Sequence, residues 1–206
     1  MVCLKFDAHG WAFDVAVRHL MMSFESSSKA LASERKQAAF ELAAYLRGLK
    51  AGEPPIGEWD DGVLLWDRER ELETQIEMLD EAAMALRKAF ALSLYHQWER
   101  SAQLWILELR KPDQKPPKDH EDLVKAVAER GYPAHHRLEA ARQLANTLKH
   151  SNDYWGCRLL KNWPGVFRAG FEPRKFLDWY GVVELTDAQV YELADIILKS
   201  GPASGV

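Results

Sequence analysis

A single long helix constrains the fold of this chain more than any other feature. Between Asp60 and Pro112, apolar side chains recur at steps of three and four residues, which is the spacing of one face of an α-helix. The members of this apolar seam are Leu72, Ile76, Leu79, Ala83, Leu86, Phe90, Leu94, Trp98, Trp105 and Leu109. We expect the helix to begin near Asp60 and Asp61, because acidic side chains in a first turn interact favourably with the positive end of the helix dipole. Other helices must cover the seam, so the pattern predicts a helical bundle.

The remaining segments also favour helices. Residues 11–50 are rich in alanine and carry apolar residues at helical spacing, although the segment 24–28 could divide this helix in two. The paired prolines and flanking glycines of 51–57 end it.

Capping residues mark later helices. Asp119 is expected to cap a short helix, and Thr186 is expected to cap the last one, over residues 187–199. A further helix is expected from about 134 to 150, whereas 163–167 has the composition of a turn or loop.

The composition is that of one globular domain with a core. The chain has 206 residues, of which 47% are apolar and 28% are charged, and no clear linker divides it. We predict an all-α fold, a helical bundle with one very long central helix. It would form a single domain over residues 1–200, with a frayed tail at 201–206.

Cysteine usage and hydropathy predict a cytoplasmic protein. Cys3 and Cys157 are too few for a Cys-based zinc site or a disulfide framework, so we expect two reduced thiols. Charged residues interrupt every apolar run near the N-terminus, and the uncharged stretch 89–98 is about half of a membrane span. The sequence contains no phosphate loop, dinucleotide-binding glycine motif or clustered zinc ligands. We therefore expect no membrane association and no cofactor.

Charge is distributed unevenly along the chain, although the net charge is only −4. The segment 53–81 has eleven acidic residues against Arg68 and Arg70. The segment 137–175 has eight basic residues against three acidic ones. Such asymmetry can indicate an anion-binding face, or it can simply be a solvated surface.

Two polar stripes interrupt otherwise apolar helix faces. Their members are His96, Glu99 and Gln103 on the long helix and Arg142, Asn146, Lys149 and His150 on the 134–150 helix. Because a carboxylate among core residues needs a cationic or hydrogen-bonding partner, we expect the stripes to face each other. Glu99 and Arg142 are the predicted ion pair.

These same stretches resemble the HEPN superfamily. The segments Leu94-Tyr-His-Gln-Trp-Glu-Arg100 and Arg142-Gln-Leu-Ala-Asn-Thr-Leu-Lys-His150 lie about fifty residues apart and carry the resemblance, which covers roughly residues 60 to 155. HEPN proteins are small four-helix bundles that are common in prokaryotic toxin–antitoxin and phage-defence systems. They commonly carry an Arg, four to six further residues and then a His near the end of a late helix, often with an Asn directly after the Arg.

The match to this motif is partial. Asn146 and His150 have the expected spacing. Ala145 stands where the family has its arginine, and Arg142 lies one turn earlier on the same face. The departure concerns the catalytic residues more than the fold.

The resemblance implies metal-independent cleavage of RNA. His150 would be the acid or base at the 2′-hydroxyl or the leaving 5′-oxygen, and Arg142 and Lys149 would hold the phosphate. Asn146 would orient His150 or the substrate. The supporting residues would be His96, Glu99 and Gln103. Family sites are often built across a two-fold dimer, so a homodimer is expected, with RNA and a protein such as an antitoxin as partners.

Two alternatives remain open from the residues alone. In the first, the chain is a non-catalytic helical interaction protein whose buried polar stripe only fixes helix register. In the second, His96 and Glu99 bind a metal ion together with His150 and Asp153. A stripe that opens into a basic groove favours the ribonuclease, and a sealed stripe favours the structural role.

Overall fold

The prediction of an all-α helical bundle is confirmed. The computed structural model describes residues 8–61, 63–111, 113–174 and 177–202. Within them lie the helices α1 (Ala8–Lys50), α2 (Arg68–Leu109), α3 (His120–Ala128), α4 (Leu138–His150), α5 (Asp153–Asn162), α6 (Trp179–Val182) and α7 (Asp187–Leu198), a 3₁₀ helix (Pro164–Val166), and the strands β1 (Gly57–Asp60) and β2 (Val63–Asp67).

Two helices are very long, where the sequence predicts one. The α1 helix has 43 residues and continues without a break through 24–28, and α2 has 42 residues. None of the helices in the described part of the chain combines the length and the apolar character needed to cross a membrane.

A β-hairpin precedes α2. Asp61, in the turn between β1 and β2, has a φ of 47°, in the left-handed region that Asp tolerates in tight turns. The Asp67 carboxylate accepts a hydrogen bond from the Arg70 backbone N–H at 2.7 Å, which satisfies an unpaired donor in the first turn of α2. The helix starts at Arg68, so the predicted start near Asp60 is wrong: the acidic residues there belong to the hairpin.

The described residues form two compact units. The core unit consists of residues within Met1–Ser23 and Arg87–Val206, and the hairpin unit is Phe24–Leu86. Both α1 and α2 contribute residues to each unit. The assignment of residues 1–200 to a single domain stays a prediction.

Large side chains fill the interior of the core unit. Trp98 and Trp179 are fully buried, and each indole N–H has a partner: Trp98 donates to the carbonyl oxygen of Ser200 at 2.7 Å and Trp179 to Asp153 Oδ1 at 2.6 Å. Gly156 lies directly under Trp179, because a Cβ added there would be 1.9 Å from the indole ring. The polar atoms of both rings are therefore satisfied inside the core.

The turn between α4 and α5 depends on a distant segment. Ser151 ends α4 with a φ of 45°, which is unusual for a residue other than glycine. Its hydroxyl donates to Asp178 Oδ1 at 2.8 Å and accepts from the Tyr180 backbone N–H at 3.0 Å. The next residue, Asn152, caps α5 by accepting a hydrogen bond from the Trp155 N–H at 3.1 Å.

The last described residues are packed into the core unit. Ser200 is buried and its hydroxyl accepts a hydrogen bond from the His135 backbone N–H at 3.0 Å. Gly201 and Pro202 are also buried, where the sequence predicts the start of a frayed tail. The rest of that tail, 203–206, and Cys3 lie outside the described residues, and Cys157 is an exposed free thiol.

Candidate functional site

Arg142 and Asn146, in the middle of α4, make their contacts inside the protein. The Arg142 guanidinium lies 3.3 Å from Glu139 Oε2 and 5.1 Å from the centre of the Trp155 ring, and the side chain is 21% exposed. The Asn146 amide donates to the Arg142 carbonyl oxygen at 3.0 Å, so its N–H is bonded within its own helix. Arg142 and Asn146, two of the four side chains predicted to act on a substrate, therefore already bond to groups of the protein itself.

Lys149 and His150 lie apart from Arg142, in the exposed last turn of α4. Among the described residues, neither side chain has a hydrogen bond or an ion pair. The eight-residue step from Arg142 to His150 corresponds to about 12 Å of helix rise, and Asn146 lies about 6 Å of rise from each of them. The four predicted residues therefore follow one another along α4, with Arg142 and Asn146 half-buried and Lys149 and His150 exposed.

The predicted ion pair between Glu99 and Arg142 is wrong. Glu99 lies 3.4 Å from His96 Nδ1 on its own helix, and Arg142 pairs with Glu139, three residues before it. Gln103, the third member of the stripe on α2, is exposed. Each side chain pairs locally because a partner one helical turn away on the same face is in reach without any tertiary contact.

Glu139 is the centre of the polar cluster that does form. Its Oε1 accepts a hydrogen bond from the buried Gln143 amide at 3.0 Å, and its Oε2 faces both Arg142 and His120 Nε2, the latter at 3.6 Å. On the other side of the imidazole, His120 Nδ1 lies 2.9 Å from the Tyr95 hydroxyl. The Glu139 cluster, which we define as Tyr95, His120, Glu139, Arg142 and Gln143, thus joins α2, α3 and α4.

The protonation of the cluster follows from its burial. Burial, and secondarily the nearby Glu99, raises the pKa of Tyr95, so the phenol keeps its proton. Burial, and secondarily Arg142, lowers the pKa of His120, an effect that Glu139 and other carboxylates only partly oppose. The imidazole is therefore neutral. Because the Glu139 carboxylate facing Nε2 can only accept, the single imidazole proton is assigned to Nε2, and Nδ1 accepts from the Tyr95 hydroxyl.

The cluster extends into α5 through a second amide. Gln143 is 3% exposed, and its Oε1 accepts a hydrogen bond from Asn162 at 2.9 Å while its Nε2 donates to Glu139. Both ends of this buried side chain are satisfied, which is the condition under which a polar group stabilises a core.

A surface pocket of about 390 Å³ borders the cluster. His120, His135 and His136 contribute to its wall, together with Glu139 and residues of α3. The His120 side chain is only 7% exposed, and its ring packs 5.5 Å from that of Trp98. Access to the imidazole is therefore small, although the pocket leads towards it.

The predicted metal ligands are not brought together. No three His, Cys, Asp or Glu side chains in the described ranges are arranged to hold a metal ion. His96 and Glu99 contact each other, whereas Asp153 accepts the Trp179 indole N–H. The alternative site made of His96, Glu99, His150 and Asp153 is thus not formed.

Four cluster members, Tyr95, His120, Glu139 and Gln143, are not among the site residues predicted from the sequence, although His120 and Glu139 carry local signals. His120 precedes the buried Leu123 and Val127 by three and seven residues, so helical spacing places it on the buried face of α3. Glu139 lies three residues before Arg142, a spacing typical of ion pairs within a helix. Both signals were present in the sequence.

No family model, no curated protein and no solved structure matches this chain significantly.

Proposed function

We propose that this protein is a non-catalytic helical interaction protein whose Glu139 cluster stabilises the fold. The observation that carries the proposal is that Arg142 and Asn146 are already bonded to other groups of the protein. The guanidinium pairs with Glu139 and packs on Trp155, and the Asn146 amide donates to the backbone of its own helix. His150, the expected acid or base, lies about 12 Å further along the helix.

The proton arrangement of the cluster supports the same proposal. A general base has to reach a substrate proton within hydrogen-bond distance. The His120 imidazole is almost completely buried, and its two nitrogens face Tyr95 and Glu139. A neutral imidazole held in this way joins helices but offers no free nitrogen to a substrate.

A metal-independent ribonuclease of HEPN-like type is the second candidate. One observation favours it: His150 is exposed beside Lys149 at the end of α4, within the basic segment 137–175. In this candidate the chain would act in a toxin–antitoxin or phage-defence system, and a homodimer would supply two copies of His150. Its cleavage would need Lys149, or cations of the second subunit, to hold the phosphate.

One experiment separates the two candidates. The purified protein and the His150→Ala variant are incubated with single-stranded RNA in excess EDTA, and the products are examined for cyclic-phosphate ends. We expect no cleavage by either protein. Cleavage by the wild-type protein that His150→Ala abolishes, with the helical circular dichroism unchanged, would overturn our proposal in favour of the ribonuclease.

Sedimentation of the wild-type protein tests the dimer on which the composite ribonuclease site depends. A monomer at micromolar concentration would remove that mechanism and support the interaction role. A dimer whose dissociation by dilution parallels a loss of RNA cleavage would support the ribonuclease.

A further inference from the structure

The hairpin of the hairpin unit is exposed on both faces. Apart from Asp67, every described residue of β1 and β2 is exposed, and the unit also exposes apolar side chains on α1 and α2. The large apolar residues exposed in this unit are Phe40, Ile56, Trp59, Val63, Leu64, Leu65, Trp66 and Met78. An exposed apolar concentration of this kind indicates an interaction surface.

Part of this apolar surface is concave. A groove of about 1040 Å³ runs along α2, with Leu65 and Trp66 of the hairpin and Met78 and Leu79 of α2 in its wall. The α2 residues that line it extend from Arg70 to Ala82, which is about 18 Å of helix. This volume is at the upper limit for small-molecule pockets, and the length matches a helix of about twelve residues.

Ion pairs within the hairpin unit join α1 to α2 beside the groove. Arg35 of α1 binds Asp80 of α2 through two hydrogen bonds, at 2.5 and 3.0 Å. Arg68 bridges Glu41 of α1 and Glu71 of α2, each at 2.8 Å. Each of these partly exposed pairs adds little stability, but they join α1 and α2 beside the groove in the chain without a partner. A groove that is present before binding lowers the entropic cost of binding.

Charge indicates what kind of partner the groove would accept. The hairpin unit contains fourteen acidic and seven basic residues, and Glu34, Asp67 and Glu71 are in the groove wall against a single cation, Arg70. A second copy of this surface, or an anionic lipid surface, would be repelled by the same charge. A partner that carries lysine or arginine beside its apolar side chains would be attracted.

We propose that this groove binds an amphipathic helix of another protein, apolar on one face and basic on its flanks. The apolar face would lie between Trp66 and Met78, and the basic flanks would face the acidic rim. This mode of recognition places apolar anchors of a helix into a preformed hydrophobic groove. The proposal rests on the proposed function, since it names the partner class of an interaction protein.

A pair of synthetic peptides tests the charge requirement. Both are about 18 residues long, so that they can be helical, and both carry the same leucine face, but one has lysine and the other glutamate at the remaining positions. Fluorescence anisotropy with labelled peptide should give a Kd at least roughly tenfold lower for the Leu/Lys peptide, and added salt should weaken its binding. Equal binding of the two peptides would overturn the proposed partner class.

Two matched variants test the location. Met78 is 64% exposed in the groove, and Leu107 is 47% exposed on the same helix outside it. Met78→Lys and Leu107→Lys add the same charge, so a difference between their effects on the Kd of the peptide must come from the position of Met78 in the groove. We expect Met78→Lys to raise the Kd of the Leu/Lys peptide roughly tenfold and Leu107→Lys to leave it nearly unchanged. Equal effects of both variants, with unchanged circular dichroism, would contradict the groove.

The other occupants give distinct results. Self-association in sedimentation that Met78→Lys abolishes would assign the groove to a second copy and overturn the proposal. Binding to vesicles of phosphatidylcholine and phosphatidylserine that Met78→Lys abolishes would assign it to lipid and overturn it as well. Peptide binding that fails while RNA remains uncleaved would remove the groove alone, whereas RNA cleavage that depends on His150 would remove the interaction role itself.

Discussion

The Tyr95 hydroxyl lies 2.9 Å from Nδ1 of His120, so a phenol in the middle of α2 is bonded to the first residue of α3. Burial keeps the His120 imidazole neutral and the Tyr95 phenol protonated. Because the Glu139 carboxylate facing Nε2 can only accept, the imidazole proton is on Nε2, and Nδ1 accepts from Tyr95. The two contacts together link α2, α3 and α4 through one imidazole.

Tyr95→Phe should lower the free energy of unfolding by about 1–3 kcal/mol, because it leaves a buried imidazole nitrogen without a donor. Urea denaturation of the variant measures the loss. Tyr154→Phe is the matched control: Tyr154 is exposed, and we expect a change within about 0.5 kcal/mol. Equal effects of the two substitutions would show that the Tyr95 hydrogen bond contributes no stability.

The stability of the protein should fall as the pH falls below about 6.5. Burial lowers the pKa of His120 in the folded state, so the unfolded chain takes up a proton that the folded protein does not bind. The loss begins near the unfolded pKa and ends below the folded one, with a slope of at most about 1.4 kcal/mol per pH unit from this residue.

Urea denaturation at several pH values checks this slope, with His120→Asn as the comparison. The Asn side chain keeps an acceptor for Tyr95 but does not titrate. A slope in this pH window that is as steep in His120→Asn as in the wild-type protein would rule out His120 as its source.

Glu139→Ala should destabilise the protein by about 1–3 kcal/mol, because Gln143 and Arg142 lose their common acceptor. Glu99→Ala should cost less than about 1 kcal/mol, since its contact with His96 is exposed. Thermal unfolding of both variants compares how much each carboxylate contributes to stability. A larger loss in Glu99→Ala than in Glu139→Ala would indicate that Glu99 is the main partner of Arg142.

Gly156→Ala should be strongly destabilising, by about 1–3 kcal/mol or more, because its Cβ would lie 1.9 Å from the buried ring of Trp179. Gly165→Ala is the control, since the nearest atom to its added Cβ is 3.8 Å away, on Gln189. Thermal unfolding compares the variants. Similar melting temperatures for both would mean that α5 and α6 can separate at little cost.

Helix starts were predictable where the signal is local. Asp119 accepts a hydrogen bond from the Asp122 N–H and Thr186 from the Gln189 N–H, as the sequence predicts for N-caps. Such a cap is satisfied within one helical turn, so no tertiary information is needed. The hairpin was missed because acidic residues near Asp60 fit a helix start equally well. In addition, β2 is exposed on both faces and has no apolar alternation.

The candidate site was predictable only in part, because some of its contacts are local to one helix and others depend on how the helices pack. Arg142 does belong to a polar cluster, but its acid is Glu139 on its own helix rather than Glu99 on another. Contacts such as that of Tyr95 with His120 depend on how α2 packs against α3, which helical periodicity alone does not specify.

The left-handed backbone of Ser151 has a consequence for the order in which the chain folds. That conformation costs a residue other than glycine roughly 1–2 kcal/mol, and the bonds that offset the cost come from Asp178 and Tyr180, 27 and 29 residues away. The turn also has local bonds, from the Ser151 N–H to the Thr147 carbonyl oxygen and from the Trp155 N–H to Asn152, but until the 178–180 segment docks the Ser151 hydroxyl has neither of its two partners. Amide hydrogen exchange at Ser151 should therefore report the docking of α6, and the junction of two adjacent helices would be among the last parts of the core unit to become protected.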